Sequence, residues 1–193
     1  YYRFFRFYDP SSYPEKIRWN KLLIPILTKD GTKTFFSERF QENYHSLIGA
    51  ETESLKKFIL PSRILEKKQA NVLDIGFGLG YNSLTLCELA EKRKIKISVK
   101  AFDKETVFNA LEIHNQKNRK ILKSLLERGV YCQNGIEIKI FWGDARQQVL
   151  KLPEKTIDCV FLDPFSPPKN PELWTVEFLK KIASQLNNNG KIL

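Results

Sequence analysis

The sequence predicts an α/β protein whose core is a parallel sheet with helices on both faces. After residue 66, short apolar segments alternate with helical patterns, most of ten or more residues, which is the arrangement of repeated β–α–β units. The first apolar segment leads into a glycine-rich loop, and each of the next three leads to an aspartate. Because the carboxyl ends of parallel strands meet at one edge of a sheet, these residues are expected to lie together where such sheets bind ligands.

The N-terminal third lacks this alternation, and we expect residues 1–65 to form a small unit of β-hairpin and helix. Two β-rich runs, Leu22–Leu27 and Thr32–Phe36, flank an Asp30-Gly31 pair. Asp-Gly between such runs indicates a hairpin, because glycine supplies the positive φ that a tight turn requires. Apolar residues then recur at helical spacing over residues 46–65, so a helix is expected there.

Residues 66–193 are expected to form one Rossmann-like domain. The predicted elements are, in order, strand 71–75, a helix to about residue 92, strand 97–102, helix 105–128, strand 136–141, a short helix 146–150, strand 157–162, helix 175–186 and a strand that begins at residue 191. The sequence stops at Leu193, soon after that strand begins, so we expect the last strands of the domain to be missing or truncated.

The loop after the first strand is a candidate ligand-binding loop, because glycine lets the backbone approach a ligand closely. Its glycines depart from the dinucleotide-binding pattern, since Tyr81 stands where a third glycine of that pattern would fall. This spacing argues against a pyrophosphate-containing cofactor; without any ligand, the same residues would form a tight strand–helix turn. The candidate cofactor-binding residues here are Asp74, Gly76, Phe77, Gly78, Gly80 and Asn82.

Two aspartates at later strand ends suit an adenosine ligand. Asp103 lies 27 residues beyond Gly76, where its carboxylate could accept hydrogen bonds from both ribose hydroxyls; the alternative is a helix N-cap. Asp144, followed by Ala145, suits an adenine amino group, and the alternative is an ordinary turn aspartate. Adenosine beside a glycine loop without the pyrophosphate pattern points to S-adenosyl-L-methionine, with Asp103, Asp144 and Ala145 in its binding site.

The segment Phe161–Pro171 is the most informative local feature. Asp163 ends a strand and is followed by prolines, which fix the backbone and remove donors, so its carboxylate is held at the ligand edge of the sheet. We assign Asp163 a catalytic role in positioning an amine nitrogen, together with a place in the cofactor site. A plain connecting loop is the alternative.

Charge and cysteine content limit the partners. The 193 residues include 32 Lys and Arg against 22 Asp and Glu, a net charge of +10, which suits a polyanionic partner. Solvated helix faces are the alternative explanation. The basic clusters are Arg3, Arg6, Lys16, Arg18 and Lys21, and then Lys117, Arg119, Lys120, Lys123 and Arg128. Three scattered cysteines predict no disulfide framework and no zinc site. No segment reads as a membrane span or a signal peptide, so we expect a cytoplasmic protein without metal or membrane partner.

Three segments, 27–54, 74–84 and 161–175, resemble one family. It is the methyltransferase component of the bacterial enzyme that completes 5-methylaminomethyl-2-thiouridine at the tRNA wobble position. The run T-x-D-G-x-x-T-x-x-S-x-x-F-x-E-x-Y-H-S, from Thr28 to Ser46, is its most specific part. The loop Pro164-Phe165-Ser166-Pro167 departs from the Gly-Phe-Ala-Pro of many relatives.

The resemblance implies a Rossmann-like class I methyltransferase that uses S-adenosyl-L-methionine. It further implies methyl transfer to the aminomethyl nitrogen of 5-aminomethyl(-2-thio)uridine, with the tRNA anticodon stem-loop as partner. Tyr44 and His45 would close over the site, and Tyr44 is assigned with Asp163 to the catalytic residues; a packed aromatic and a surface histidine are the alternatives. An oxidoreductase partner, fused behind this domain in many relatives, is not assignable.

Two other function classes remain open at this point. An aminopropyltransferase of the spermidine-synthase type also places a small β unit before a Rossmann domain, but it would need an acidic substrate pocket and no basic excess. A non-catalytic RNA-binding module on a methyltransferase scaffold is the second alternative.

Overall fold

The structure, a computed structural model, describes residues 24–105 and 107–193. It begins with two short hairpins: β1 (Ile26–Leu27) pairs with β2 (Lys33–Thr34), and β3 (Phe36–Ser37) pairs with β4 (Glu42–Asn43). The Asp30 carboxylate closes the first turn by accepting hydrogen bonds from the Thr28 hydroxyl at 2.8 Å and the Thr32 N–H at 3.0 Å. This hairpin was predicted from its Asp30-Gly31 pair; the second was not, because its turn, residues 38–41, contains no Asp-Gly or Asn-Gly pair.

A single helical segment follows the hairpins. It consists of α1 (Ala50–Glu53), a π-helical stretch (Ser54–Ile59) and α2 (Leu60–Ser62), and it ends where Arg63 adopts a left-handed conformation. Phe58 and Ile59 are buried in the hydrophobic core that this segment shares with the sheet. The tyrosine hydroxyl of Tyr81, which donates to the Lys33 carbonyl at 2.8 Å, also ties the first hairpin to the following domain.

The central sheet has six strands, of which five are parallel. They are β5 (Gln69–Ile75), β6 (Lys96–Asp103), β7 (Val130–Gln133), β8 (Ile136–Trp142), β9 (Ile157–Leu162) and β10 (Leu186–Ile192), in the spatial order β10-β9-β5-β6-β8-β7. Within this sheet, β7 is the strand that runs antiparallel to its neighbour, β8. The strand order reverses at β5, which lies between β6 and β9, and this places a ligand crevice at the end of β5.

Helices cover both faces of the sheet, as predicted. They are α3 (Tyr81–Lys92), α4 (Ala110–Ile113), α5 (Gln116–Arg128), α6 (Ala145–Gln148) and α7 (Val176–Gln185). Successive strand residues belong to different cores: Val72 packs with α3 and α5, whereas Leu73 packs with α6 and α7. This alternation buries both faces, which explains why the strands read as almost continuous apolar runs.

Three details differ from the predicted elements. The single helix predicted over 105–128 is two helices, because the Asn115 side chain caps a new helix by accepting from the Asn118 N–H. The unpredicted β7 is joined to β8 by an Asn134-Gly135 turn with positive φ at both residues, which is a hairpin signal. The last strand begins at Leu186 rather than at residue 191, with an irregular register between Leu186 and Lys191.

Candidate functional site

A cavity of about 810 Å³ opens at the carboxyl ends of β5, β6, β8 and β9. Its lining includes the predicted site residues Tyr44, Gly76, Gly78, Asp103, Asp144, Ala145 and Asp163. The predicted residues Asp74, Phe77, Gly80 and Asn82 do not line it. Most of the predicted site residues therefore line one cavity, and the remaining four do not.

Four N–H groups of the glycine loop donate hydrogen bonds within the protein. The N–H groups of Gly76 and Phe77 both donate to the Phe102 carbonyl, at 3.0 and 3.2 Å. The Gly78 N–H donates to Oδ2 of Asp103 at 2.7 Å, and the Gly80 N–H donates to the Phe77 carbonyl. Through Gly78 the loop positions the Asp103 carboxylate rather than binding an anion. This agrees with the absence of the dinucleotide-binding glycine spacing from the sequence.

Asp103 presents an acceptor at the end of β6. Its Oδ1 accepts from the Glu105 N–H at 2.9 Å, and Oδ2 accepts from Gly78. No helix starts directly after it, since α4 begins at Ala110, so the N-cap alternative does not apply. Burial raises the pKa of Asp103 to about 6, against the hydrogen bonds from backbone N–H groups that lower it.

We expect the affinity for S-adenosyl-L-methionine to fall as the pH drops through about 6. Above that pH the Asp103 carboxyl is ionised and accepts from hydroxyl donors, whereas below it protonation removes an acceptor and the negative charge. The Kd at about pH 5 should be about tenfold higher than at about pH 8. Calorimetry across this range measures the effect, and Asp103→Asn should bind weakly at every pH. A wild-type Kd that does not change with pH would contradict this role.

Asp144 has a structural role that the turn alternative anticipated. It caps α6 by accepting from the Arg146 N–H at 3.0 Å, and the Arg146 guanidinium donates to both carboxylate oxygens at 3.0 and 2.6 Å. These bonds hold the pKa of Asp144 down at about 2, so it remains ionised. Asp144 and the adjacent Ala145 nevertheless line the cavity, and their place in an adenine site stays a prediction.

Asp163 is held at the cavity by a chain of hydrogen bonds. The Ser54 hydroxyl contacts Oδ1 of Asn82 at 2.6 Å, and Nδ2 of Asn82 donates to Oδ2 of Asp163 at 2.8 Å. Burial raises the pKa of Asp163 to about 6, although nearby His45 and the Asn82 bond lower it. Ser54 begins the π-helical stretch, so an irregular turn of the N-terminal unit supports the carboxylate; such turns are frequent at functional sites.

Asn82 is therefore expected to act through Asp163. Asn82→Leu should lower kcat by about 10²-fold with little change in cofactor Kd, because it removes the donor that orients the carboxylate. Asn71→Leu, on the exposed side of β5, is a control for loss of an amide outside the cavity. Equal kcat values for Asn82→Leu and the wild type would contradict the role.

Three other predicted residues, Asp74, Phe77 and Gly80, contact the glycine loop or the start of α3 and do not line the cavity. Asp74 is fully buried and accepts from the Ser83 hydroxyl at 2.5 Å; burial raises its pKa to about 8. A Cβ at Gly80 would lie 2.9 Å from the ring of Phe77, so helix α3 starts close against that ring. Their assignment to cofactor binding remains a prediction, and their contacts are with the loop itself.

The second hairpin and the loop after Asp163 cover the cavity. The ring of Phe165 stacks on Phe40 at 4.1 Å and meets Tyr44 edge-on at 5.1 Å. The Ser166 hydroxyl donates to the Glu42 carboxylate at 2.6 Å, which links this loop to β4. Burial and the nearby negative charge of Asp103 raise the pKa of Tyr44 to about 12, so its phenol stays protonated. Tyr44 can donate a hydrogen bond there, but it cannot serve as a base near neutral pH.

The cavity is acidic although the chain is basic. Seven carboxylates line it, against three lysine or arginine side chains. Sequence reasoning missed Glu42, Glu53 and Lys57, because total charge carries no information on which residues share a cavity. A cationic ligand is favoured by this excess of negative charge.

The second basic cluster, Lys117 to Arg128, is exposed along α5, and four of its five side chains have partners within the protein. Lys117 pairs with Glu91, and Lys123 lies 3.8 Å from Glu127. The Arg128 guanidinium donates to the Ser124 hydroxyl, and that of Arg119 to the His114 carbonyl. The other cluster, between Arg3 and Lys21, lies outside the described residues, so the role of these clusters in RNA binding stays a prediction.

In residues 24–105 and 107–193, no helix combines the length and the apolar character of a membrane span. No cluster of three or more His, Cys, Asp or Glu side chains within the same ranges is arranged to hold a metal ion.

Comparisons with known proteins agree with this geometry. Residues 109–193 match the family model described as S-adenosyl-L-methionine-dependent methyltransferase. The crystal structure of MNMC2 from Aquifex aeolicus superposes with a TM-score of 0.76 at 36% identity, over 89% of this chain and 59% of that one. This similarity confirms the predicted class I methyltransferase-like fold.

Two relatives extend the comparison. An uncharacterised protein of Methanocaldococcus jannaschii is 33% identical over 87% of this chain and 49% of its own length. The tRNA 5-methylaminomethyl-2-thiouridine biosynthesis bifunctional protein MnmC of Delftia acidovorans is 27% identical over 80% of this chain and 27% of its own. The chain thus spans about half of the archaeal relative and about a quarter of the bacterial one.

Proposed function

Since the chain belongs to the MnmC-like S-adenosyl-L-methionine-dependent methyltransferases, we propose that it methylates the aminomethyl nitrogen of 5-aminomethyl(-2-thio)uridine at the wobble position of tRNA. The observation that carries the proposal is the Asp163 carboxylate, which lies in an acidic cavity at the reversal point of the sheet and is oriented by Asn82. The anticodon stem-loop is the proposed partner, and the cytoplasm the proposed location. Residues 66–193 would bind the cofactor, and residues 1–65 would be the N-terminal unit, of which the described part, residues 24–65, would cover the site.

The residues present fit S-adenosyl-L-methionine. Asp103 offers acceptors to hydroxyl donors, and the acidic lining favours a cationic ligand. The N–H groups of Gly76, Phe77, Gly78 and Gly80 donate within the protein, which leaves few donors in the loop for a phosphate. When bound, S-adenosyl-L-methionine supplies an electrophilic methyl group on a sulfonium.

Asp163 attracts and orients the substrate amine. An alkylamine titrates near pH 10, so at pH 7 about one molecule in a thousand is neutral, and freeing the lone pair costs about 4 kcal/mol. A carboxylate stabilises the ammonium and by itself opposes deprotonation. Asp163 is therefore proposed to position the nitrogen, and most of the acceleration should come from holding the reacting atoms in line.

The acidic cavity does not by itself separate the proposal from an aminopropyltransferase, which also needs an acidic pocket for an amine. The family assignment and the net charge of +10 favour the methyltransferase. A non-catalytic module is disfavoured because Asp103, Asp144 and Asp163 all line one cavity with the glycine loop.

The decisive experiment incubates the protein with S-adenosyl-L-methionine and tRNA that carries 5-aminomethyl-2-thiouridine, followed by mass spectrometry of the nucleosides. We expect one methyl group added to that nucleoside and none to tRNA without the aminomethyl group. Putrescine with decarboxylated S-adenosylmethionine tests the aminopropyltransferase. Calorimetric binding of S-adenosyl-L-methionine without methylation of any tRNA would reject the substrate assignment.

A further inference from the structure

A second group of ionisable side chains lines the cavity where the N-terminal unit meets it. His45 follows β4, Glu53 ends α1, and Lys57 lies one helical turn further on. The side chains of His45 and Glu53 are only 5% and 9% exposed. Nδ1 of His45 lies 3.5 Å from Oε2 of Glu53 and has no other polar partner among the described residues. A buried imidazole whose ring nitrogen faces only a carboxylate is an arrangement that orients histidine.

Glu53 is fixed as an anion. Its Oε2 accepts from the Ser46 N–H at 2.8 Å, and its Oε1 pairs with the Lys57 ammonium. Burial opposes ionisation, but these bonds and His45 lower the pKa of Glu53 to about 2. An anionic oxygen facing Nδ1 favours the tautomer that carries its hydrogen on Nδ1, which leaves the lone pair on Nε2 as an acceptor.

The remaining charged and titratable groups around His45 come from three other elements. Asp163, after β9, interacts electrostatically with His45. The Tyr81 ring on α3 meets the imidazole edge-on at 5.1 Å. His114, before α5, is destabilised as a cation by His45. The imidazole thus faces an ionised glutamate at Nδ1 and interacts electrostatically with the carboxylate proposed to bind the amine.

The proposed reaction needs a proton acceptor that Asp163 is poorly suited to be, since its charge favours the ammonium. We propose that His45, oriented by Glu53, accepts through Nε2 the proton that the substrate amine loses. This inference rests on the proposed function. The amine nitrogen gives a proton to Nε2 and uses the freed lone pair to bond to the methyl carbon. The carbon–sulfur bond breaks with its electron pair on sulfur, so the products are a methylated ammonium, a thioether and an imidazolium.

The first test is independent of activity. Histidine labelled with ¹⁵N reports which ring nitrogen carries hydrogen, and the chain has only two histidines, so the signal lost in His45→Gln identifies His45. We expect the Nδ1–H tautomer for neutral His45, and Glu53→Gln should lower the population of that tautomer. Glu51→Gln, at an exposed glutamate on the same helix, is the matched control and should leave the tautomer unchanged. An Nε2–H tautomer overturns the inference.

The second test is the pH profile of methyl transfer to aminomethyl-tRNA in a single turnover. At pH 7, His45→Gln should lower the rate by about 10²-fold to 10⁴-fold, while calorimetry shows an affinity for S-adenosyl-L-methionine within about threefold of the wild type. The rate of the variant should keep rising with pH up to about 10, because only the free amine then reacts. Imidazole added to the buffer should restore part of the rate. A His45→Gln enzyme with the wild-type rate and profile overturns the inference. If the wild type methylates no tRNA, the proposed function fails, and the tautomer alone decides the role of His45.

Discussion

Asp163→Asn is expected to lower the rate of methyl transfer by about 10³-fold and to leave the affinity for S-adenosyl-L-methionine within a few fold of the wild type. The amide carries no charge to attract an ammonium. Because Nδ2 of Asn82 donates toward position 163, the new amide must turn its oxygen toward Asn82. Its own NH₂ group would then face the cavity, where the amine should bind, so two hydrogen-bond donors would face each other.

Loss of folding is separable from loss of function in this variant. Burial raises the pKa of Asp163 to about 6, so the ionised carboxyl costs stability above that pH, and this cost disappears as the pH falls. Asn removes the cost; hence thermal unfolding above about pH 7 should show a variant no less stable than the wild type. Glu154→Gln, at the surface, is a control for loss of a carboxylate. Full activity of Asp163→Asn would reject its assignment.

The sheet was predictable because each strand is specified by residues that are adjacent in the sequence. Strand β9 occupies the predicted residues 157–162, and β5, β6 and β8 begin and end within two residues of prediction, whereas β10 begins earlier and β7 was not predicted. Both faces of the sheet are covered, so each strand is an apolar run that stands out from its neighbours. The Asp163 loop was recognisable for the same reason, since its prolines directly follow the strand.

The contacts that hold the site residues in place were not predictable, because they join residues that are distant in the sequence. Ser54 meets Asn82 across 28 residues, and Glu42 meets Ser166 across 124. The π-helical stretch changes which side chains face the cavity, and no periodicity in the sequence predicts such a stretch. His45 was read as part of a motif, whereas the partner Glu53 emerged only from the fold.

The charge of the cavity was likewise not predictable from the sequence. The surplus of positive charge predicted a polyanion partner, and the cavity nevertheless holds an excess of carboxylates. The two observations are compatible in a methyltransferase that acts on RNA, because the reaction centre receives a sulfonium and an ammonium while the polymer carries phosphates. Charge therefore has to be counted separately for the site and for the whole chain.

Gly76→Ala is expected to impair both folding and methyl transfer, whereas Gly31→Ala should impair folding alone. The two glycines have nearly equal φ values of +88° and +84°, so an alanine pays the same left-handed strain of about 1–2 kcal/mol at each. Their surroundings differ. A Cβ at Gly31 would meet nothing within 4 Å, but at Gly76 it would lie 2.5 Å from the carbonyl oxygen of Asp163.

The contact at Gly76 cannot be relieved by a side chain, because the atoms it meets belong to the backbone of Asp163 and Pro164. The loop must move away from β5, and it carries the proposed catalytic carboxylate with it. A displacement of about 1 Å is enough to lower a rate by about 10²-fold. Urea unfolding should show a larger loss of stability for Gly76→Ala, by about 1–3 kcal/mol beyond Gly31→Ala. Equal effects of the two substitutions on stability and rate would show that the close approach of β5 and the Asp163 loop does not matter, and that conformation alone requires glycine at this position.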